Sequence, residues 1–157
     1  MGFVGTASYI ARLFVATTAQ EYLIGQCIGG LLTFTSTVRD GVFSAYLTDV
    51  HLIDKTDTKF QVLLVLFDSN PTLSTITDTQ TVVVHPTDMG RVVRTISITP
   101  GEYSTVSGAA FADVELGRVL TVAGGGSDTF GVLILDQASV TFAGINDVIL
   151  NLGYAID

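Results

Sequence analysis

Three side chains are of the types most often used in nucleophilic or acid–base catalysis: Cys27, His51 and His85. Nucleophilic catalysis needs a Ser or Cys beside a base that a third group orients, and only the two histidines could be that base. His51 lies in the alternating run of residues 49–54, so we expect it to project from one face of a strand. We predict that both histidines are surface or packing residues and that Cys27 is a small buried hydrophobe.

The pattern of side chains offers little support for a metal site. One Cys and two His cannot form a multi-Cys site, nor the several-His site of the cupin-type jelly rolls. The Asp-containing turns at Asp54/Asp57, Asp78 and Asp128 could bind calcium weakly, but they lack the one-three-five oxygen spacing of a dedicated loop. We therefore predict turn and capping roles for these carboxylates, with no catalytic residue, no metal and no cofactor.

The run Gly124-Gly125-Gly126 is the one segment with the composition of a phosphate-binding loop. A phosphate loop continues into Gly-Lys-Ser/Thr and a helix, and neither follows here, so we predict a hairpin loop. A carboxylate pair for glycoside hydrolysis stays open because Asp is plentiful, although no pair stands out. The chain has no Trp, which weakens a lectin or glycosidase interpretation because sugars usually stack on aromatic faces.

Charge and composition exclude several classes of partner. The 157 residues are 48% hydrophobic and only 14% charged, with a net charge of -8 and seven scattered Lys and Arg residues. Nucleic-acid binding needs a concentrated basic face, so we predict no nucleic-acid and no anionic-membrane partner. The low charge indicates either a surface covered by other subunits or a Thr-rich β surface. No signal peptide or transmembrane run is recognised, which predicts folding in a cytoplasm.

Short apolar runs separated by turn residues predict an all-β fold, because β-branched residues are abundant and straight-chain helix formers are few. One short helical turn is expected at residues 86–90 and a type II turn at 99–102. Residues 60–67 form an apolar run without alternation, which predicts a central strand covered on both faces. The other predicted strands are residues 8–15, 31–39, 42–55 with a bend near Asp49, 92–98, two short strands within 103–122, 129–135 and 147–156.

These eight to ten strands, without a linker or a repeat, predict one domain over residues 1–157. We expect an antiparallel β-sandwich of the jelly-roll type, with a closed β-barrel as the alternative. Residues 1–8 are a candidate N-terminal arm and residues 72–81 a long loop or arm, since neither segment shows periodicity. Both segments could equally be ordinary surface segments.

Two stretches resemble a known family. They are Leu52-Ile-Asp-Lys55 with Leu63-Leu-Val-Leu-Phe-Asp-Ser-Asn-Pro-Thr72 and Thr77-Asp78, and Tyr22-Leu-Ile-Gly-Gln-Cys-Ile-Gly-Gly30. Together they resemble the head decoration or cement proteins of tailed bacteriophages, loosely, from about residue 22 to the C-terminal strand. The motifs mark strand ends and turns, and no catalytic residue comes with them.

The resemblance implies a non-enzymatic virion protein that seats on the outer capsid surface, binds the major capsid protein and forms a homotrimer with a jelly-roll-like fold. A trimer would match the three-fold positions of an icosahedral shell. The alternative is a tail- or fibre-associated β-domain that binds a host receptor or glycan. A third class, an enzyme, would require acidic residues that converge in a pocket with perturbed pKa values, and the sequence reveals no such convergence.

Overall fold

The computed structural model describes residues 7–35, 44–122 and 128–156, and the regular structure of these residues is predominantly β. Among them no helix is long and apolar enough to cross a membrane. In chain order the elements are β1 (Ala7–Val15), β2 (Glu21–Leu23), β3 (Cys27–Phe34), β4 (Ser44–Asp54), β5 (Val62–Phe67), α1 (Pro86–Met89), β6 (Val92–Ile98), a 3-10 turn (Pro100–Glu102), β7 (Tyr103–Val106), β8 (Ala109–Val122), β9 (Thr129–Leu135), β10 (Ser139–Thr141) and β11 (Val148–Ile156).

The long strands form two antiparallel sheets that share one core. The five-stranded sheet has the order β1-β11-β4-β8-β7 and the four-stranded sheet the order β3-β9-β5-β6, while β2 pairs with β10. The chain crosses repeatedly from one sheet to the other, so that each sheet combines early and late strands, as in a jelly roll. This strand order confirms the predicted jelly-roll sandwich. The alternative of a closed barrel is wrong, because both sheets keep open edges.

The core lies between the two sheets. In β11 Val148, Leu150 and Leu152 are fully buried, whereas Ile149 on the opposite face is partly exposed, so the predicted alternation of this strand is confirmed. Burying one such side chain contributes about 1.5–3 kcal/mol. The side chains that fill the space between the sheets include Leu32, Phe34, Leu47, Val50, Leu52, Val62, Leu64, Leu66, Leu133, Leu150 and Leu152.

Strand β5 is covered on both faces, as the unbroken apolar run predicts. Leu64 and Leu66 belong to the main core. Val65 and Phe67 point the other way, into a second buried cluster with Cys27 and Val132. The strand itself begins at Val62, two residues after the predicted start.

Residues 68–91, here called the β5–β6 connection, cover the outer side of the four-stranded sheet. Three of their side chains, Ile76, Val82 and Val84, pack on the second buried cluster. The Thr79 amide donates to the Cys27 carbonyl over 2.9 Å, and the Cys27 amide donates to the Gln80 carbonyl over 2.8 Å. The predicted long loop at 72–81 is therefore part of a segment that is fastened to its own sheet.

Four aromatic rings close one end of the sandwich, and each comes from a different segment between two long strands. The Phe60 ring meets the Phe142 ring edge-on at 5.1 Å and lies 6.3 Å from the Tyr103 ring, and Phe142 in turn contacts Tyr22 at 5.6 Å. The Tyr103 hydroxyl donates to the Phe60 carbonyl over 2.7 Å. We call these residues the aromatic file; all four are buried.

Several predicted boundaries differ from the structure. The strand predicted at 31–39 runs from Cys27 to Phe34, and the Asp40-Gly41 hairpin lies outside the described residues. The type II turn at 99–102 is wrong: Gly101 does not take the positive φ of that turn, and Glu102 instead accepts from the Thr99 amide over 2.7 Å in a 3-10 turn.

The number of strands also exceeds the prediction. Eleven strands occur in the described residues rather than eight to ten, because β2 and β10 span only three residues each and leave no periodic signal. In the predicted N-terminal arm of residues 1–8, residues 1–6 lie outside the described residues, and residues 7 and 8 belong to β1.

Candidate interaction surface on the five-stranded sheet

The side of the five-stranded sheet that points away from the core is called here the outer sheet face. Its strand register places residues of β1, β11, β4 and β8 in rows that run across the strands. In the order β1, β11, β4, β8, the three central rows are Phe14-Ile149-Ile53-Phe111, Arg12-Asn151-His51-Asp113 and Ile10-Gly153-Asp49-Glu115. The face thus combines one apolar row with two rows that carry charge.

Apolar side chains on this face remain in contact with solvent near its β1 edge. Phe14 is 54% exposed and Ile10 is 63% exposed, although β1 contributes Ala11 and Leu13 to the core on its other side. The Lys55 ammonium lies 5.9 Å from the centre of the Phe14 ring, within the range of a cation–π contact. An edge strand with exposed apolar side chains is a common site of association with another chain.

His51 stands between two carboxylates at the centre of the face. Its Nε2 atom is 2.5 Å from Asp49 Oδ2, and its Nδ1 atom contacts Asp113 Oδ1. In the same row the Arg12 guanidinium donates to Asn151 Oδ1 over 3.4 Å. The prediction that His51 projects from a sheet face is confirmed, with two acidic neighbours that the sequence pattern did not reveal.

A β-bulge in β4 creates the space for this arrangement. The register of β4 against β11 shifts between Gly153 and Tyr154, which leaves Thr48 of β4 as the extra residue, and the Thr48 hydroxyl donates to Asp49 Oδ1 over 2.6 Å. A Cβ atom on Gly153 would lie 2.0 Å from the same oxygen, so only glycine leaves room for Asp49 here. The predicted bend near Asp49 is this bulge.

An open cavity of about 480 Å³ lies beside the bulge. Its lining consists of Thr48, Asp49, His51, Asp113, Val114, Glu115 and Gly117. Three of these side chains are carboxylic acids, and His51 is the one basic group among them. The β8 side of the outer sheet face is consequently acidic.

The environment of His51 favours the imidazolium ion. Partial burial lowers the pKa of His51, but the hydrogen bond and negative charge of Asp113, together with those of Asp49, outweigh this effect and raise the pKa above its ordinary value. Since both ring nitrogens face carboxylates, neither is free to act as a general base toward a substrate. Among the described residues no group of three or more His, Cys, Asp or Glu side chains could hold a metal ion.

We expect His51→Gln to destabilise the protein more at pH 5.5 than at pH 8.5. A histidine whose folded-state pKa is raised contributes stability that is complete below its unfolded pKa of about 6.5 and is lost as the pH rises through the folded pKa. Because the imidazole is partly exposed, solvent screening limits the contribution to less than about 1 kcal/mol. Urea unfolding of both proteins at the two pH values measures the difference.

The matched control keeps the His51 imidazole and removes one of the two carboxylates that face it. Asp113→Asn should leave a smaller pH-dependent difference from wild type than His51→Gln, since Asp49 still faces the ring. An equal loss of stability at both pH values for His51→Gln would contradict the assignment.

The other residues with catalytic potential lie far from the outer sheet face and act structurally. Cys27 is fully buried in the second cluster, where burial raises the pKa of its thiol to about 12, so the prediction of a small buried hydrophobe is confirmed. His85 is exposed at the start of α1, and its Nδ1 accepts from the Thr87 amide over 3.1 Å. The prediction of a surface role for His85 is also confirmed.

The turn carboxylate Asp54 is satisfied by its own loop. It is fully buried and accepts from the amides and hydroxyls of Thr56 and Thr58 and from the Lys59 amide, over 2.7–2.9 Å. Asp57 accepts from the Thr105 hydroxyl over 3.1 Å. For Asp54 the predicted turn role is confirmed.

Asp78 fastens the β5–β6 connection to the start of β3. Its carboxylate accepts from the Gly29 amide over 2.7 Å and from the Tyr22 hydroxyl over 3.0 Å. The Tyr22 hydroxyl in turn accepts from the Thr18 amide over 2.9 Å. A turn or capping role is predicted for Asp78, but its carboxylate instead bonds across to distant segments. The run at 124–126 lies outside the described residues.

Comparison with known proteins was made at three levels. No family model matches the chain, and no curated protein matches it. Among solved structures it is similar to capsid proteins of viruses. A structure of deformed wing virus carrying the GFP gene is 10% identical with a TM-score of 0.41, and the match covers 96% of this chain and 75% of the other. The coat protein of Tobacco streak virus is 12% identical with a TM-score of 0.32, covering 92% of this chain and 85% of the other. A structure of Sacbrood virus of honeybee is 10% identical with a TM-score of 0.36, covering 92% of this chain and 80% of the other.

The strand order, and not these distant similarities, identifies the sandwich as a jelly roll. The same strand order explains why sequence reasoning missed the cluster around His51. Asp113 reaches His51 only through the pairing of β4 with β8, which sequence alone does not fix. The alternation of charged with apolar residues in 113–116 was the one available signal, and it indicates a strand face but not its neighbour.

Proposed function

We propose that this chain is a non-enzymatic structural protein of a virion, a cement protein that decorates and stabilises a bacteriophage capsid. In this proposal residues 1–157 form one domain, which folds in the host cytoplasm, associates as a homotrimer and binds the major capsid protein on the outer capsid surface. The resemblance of residues 22–30, 52–55, 63–72 and 77–78 to the decoration proteins supports this function.

The observation that carries the proposal is a rigid apolar surface on the β5–β6 connection. Leu73 is 57% exposed, Val83 58% and Met89 57%, so all three present more than half of their side chains to solvent. Large side chains of this kind favour burial against a partner, and a group of them within one segment indicates an interaction site.

Hydrogen bonds fix the backbone that carries Leu73 and Val83 before any partner binds. The fully buried Asp88 carboxylate accepts from the Leu73 amide over 3.0 Å and from the Ser74 hydroxyl over 2.7 Å. Backbone bonds between Thr75 and Val83 pair the two halves of the segment. A preorganised surface loses little conformational entropy on binding, which suits a protein that must stay attached to a shell.

We expect the variant Leu73→Ser/Val83→Ser/Met89→Ser to bind undecorated capsids at least about tenfold more weakly than wild type, since interface residues that carry binding each contribute more than about 1 kcal/mol. Its fold should be unchanged, because the three side chains lie outside the core. Co-sedimentation with capsids measures binding, and circular dichroism with urea unfolding confirms the fold.

The matched control is Val106→Ser/Ile145→Ser, which removes exposed apolar side chains (59% and 74%) from the end of the sandwich that carries the aromatic file. Equal binding by the wild type, the triple variant and this control would reject the β5–β6 connection as the contact. A wild-type protein that ignores capsids but binds immobilised glycans or host cells would replace the cement function with receptor binding by a tail or fibre domain.

A further inference from the structure

We propose that the outer sheet face is a two-fold contact between two copies of this chain, in which the β1 side of each copy lies against the β8 side of the other. This inference rests on the proposed function in that copies of the chain associate, and it pairs copies in addition to the contacts of the homotrimer. It adds the surface that they use and the residues that determine its specificity.

The outer sheet face carries positive charge on its β1 side and negative charge on its β8 side, as a contact between these two sides requires. The cations Arg12 and Lys55 lie on its β1 side, and the carboxylates Asp113 and Glu115 lie on its β8 side. Among the described residues Arg12 has no carboxylate within 4.0 Å, and its hydrogen-bond partner is the neutral Asn151. The β1 side of one copy is therefore complementary in charge to the β8 side of another.

The rows place the matching groups at the same height along the strands. Arg12 and Asp113 belong to one row, and Phe14 and Phe111 belong to the adjacent row. A two-fold axis parallel to the strands leaves this height unchanged and turns the β1 side of each copy toward the β8 side of the other. One docking movement therefore brings Arg12 opposite Asp113 and Phe14 opposite Phe111.

The size of the face is sufficient for a specific contact. Five strands spaced about 4.8 Å apart and nine residues long, at about 3.3 Å per residue, cover roughly 600–700 Å² before side-chain relief is added. A standard interface buries about 800 Å² on each partner. The exposed Ile10 and Phe14 lie in the rows on either side of Arg12 and supply apolar contacts that shield the ion pair from water.

The experiment measures mass in solution by light scattering over a concentration series, for wild type and for charge-swapped variants. We expect wild type to associate and Arg12→Glu to raise the dissociation constant at least about tenfold, because it places two carboxylates face to face. Adding Asp113→Arg to Arg12→Glu restores opposite charges across the contact. Because residue 113 contacts His51, the comparison is made at pH 8.5, where less of the imidazole is charged, and there the double variant should return to within about threefold of wild type.

The matched control is Arg94→Glu, which makes the same charge change at an exposed position on β6, in the other sheet. Circular dichroism establishes that each variant is folded. A wild-type chain that stays monomeric up to about 100 µM, equal effects of Arg12→Glu and Arg94→Glu, or a folded double variant that does not recover would each overturn the proposed contact. Capsid co-sedimentation tests the cement function separately, since a monomer that binds capsids refutes the contact alone.

Discussion

Replacing Gly29 with alanine is expected to lower the free energy of unfolding by about 2–6 kcal/mol. Gly29 has a φ of +81° in β3, a conformation that costs a residue with a side chain about 1–3 kcal/mol. A Cβ atom there would also lie 2.3 Å from Val15 Cγ1 and 3.3 Å from the Ala16 amide nitrogen. Val15 is fully buried, so the clash adds an overpacking cost of about 1–3 kcal/mol.

Substitution of the adjacent Gly30 separates the cost of the backbone conformation from the cost of the clash with Val15. Its φ is +75°, but a Cβ atom would meet nothing closer than the Asp78 amide nitrogen at 3.9 Å. Gly30→Ala should therefore show the backbone cost alone, about 1–3 kcal/mol. Urea unfolding of both variants measures the difference, and equal losses for the two would show that Val15 yields without cost.

The second large effect is expected for Phe60→Ala, which should cost about 3–5 kcal/mol. Phe60 is fully buried, and its ring lies in the aromatic file between Phe142 and Tyr103. Removing it leaves a cavity at the end of the core where rings from several loops meet. It also removes the edge-to-face contact with Phe142 and the tilted contact with Tyr103, and aromatic pairs of this kind are worth about 0.5–1.5 kcal/mol each.

The same chemical change at an exposed ring is the control. Phe14→Ala removes a side chain that is 54% exposed on the outer sheet face, so we expect a loss of less than about 1 kcal/mol. Thermal or urea unfolding compares the two variants. A loss below about 1 kcal/mol for Phe60→Ala would mean that the aromatic file contributes packing without supporting the fold.

Much of the architecture can be predicted from local pattern because the residues that determine it are neighbours in sequence. The unbroken run at 60–67 indicates a strand covered on both faces, and the alternation of 147–156 identifies the buried side of β11. The helical turn at 86–90 is predicted by Pro86 and is observed as α1. Each of these predictions depends on periodicity or on one conformational preference within a few residues.

The remainder depends on pairings between distant segments. Three-residue strands such as β2 and β10 are too short to show a period, and they exist because Tyr22 and Val140 pair beside the core. The acidic surroundings of His51 need both the bulge at Thr48 and the register of β4 against β8. Neither has a sequence signal of its own, so the charge pattern of the outer sheet face emerges only from the folded chain.

The pairing of β1 with β11 also determines when the protein can fold. Strands β2 to β10 lie between these two strands in the sequence, yet β1 and β11 are neighbours throughout Ala7–Val15. During synthesis at about 5–20 residues per second, β1 waits until all of the intervening strands have been made before its partner emerges from the ribosome. Such distant pairing makes folding slow, and until β11 is made the side chains that β1 contributes to the core, Ala11, Leu13 and Val15, stay open to contact with other chains.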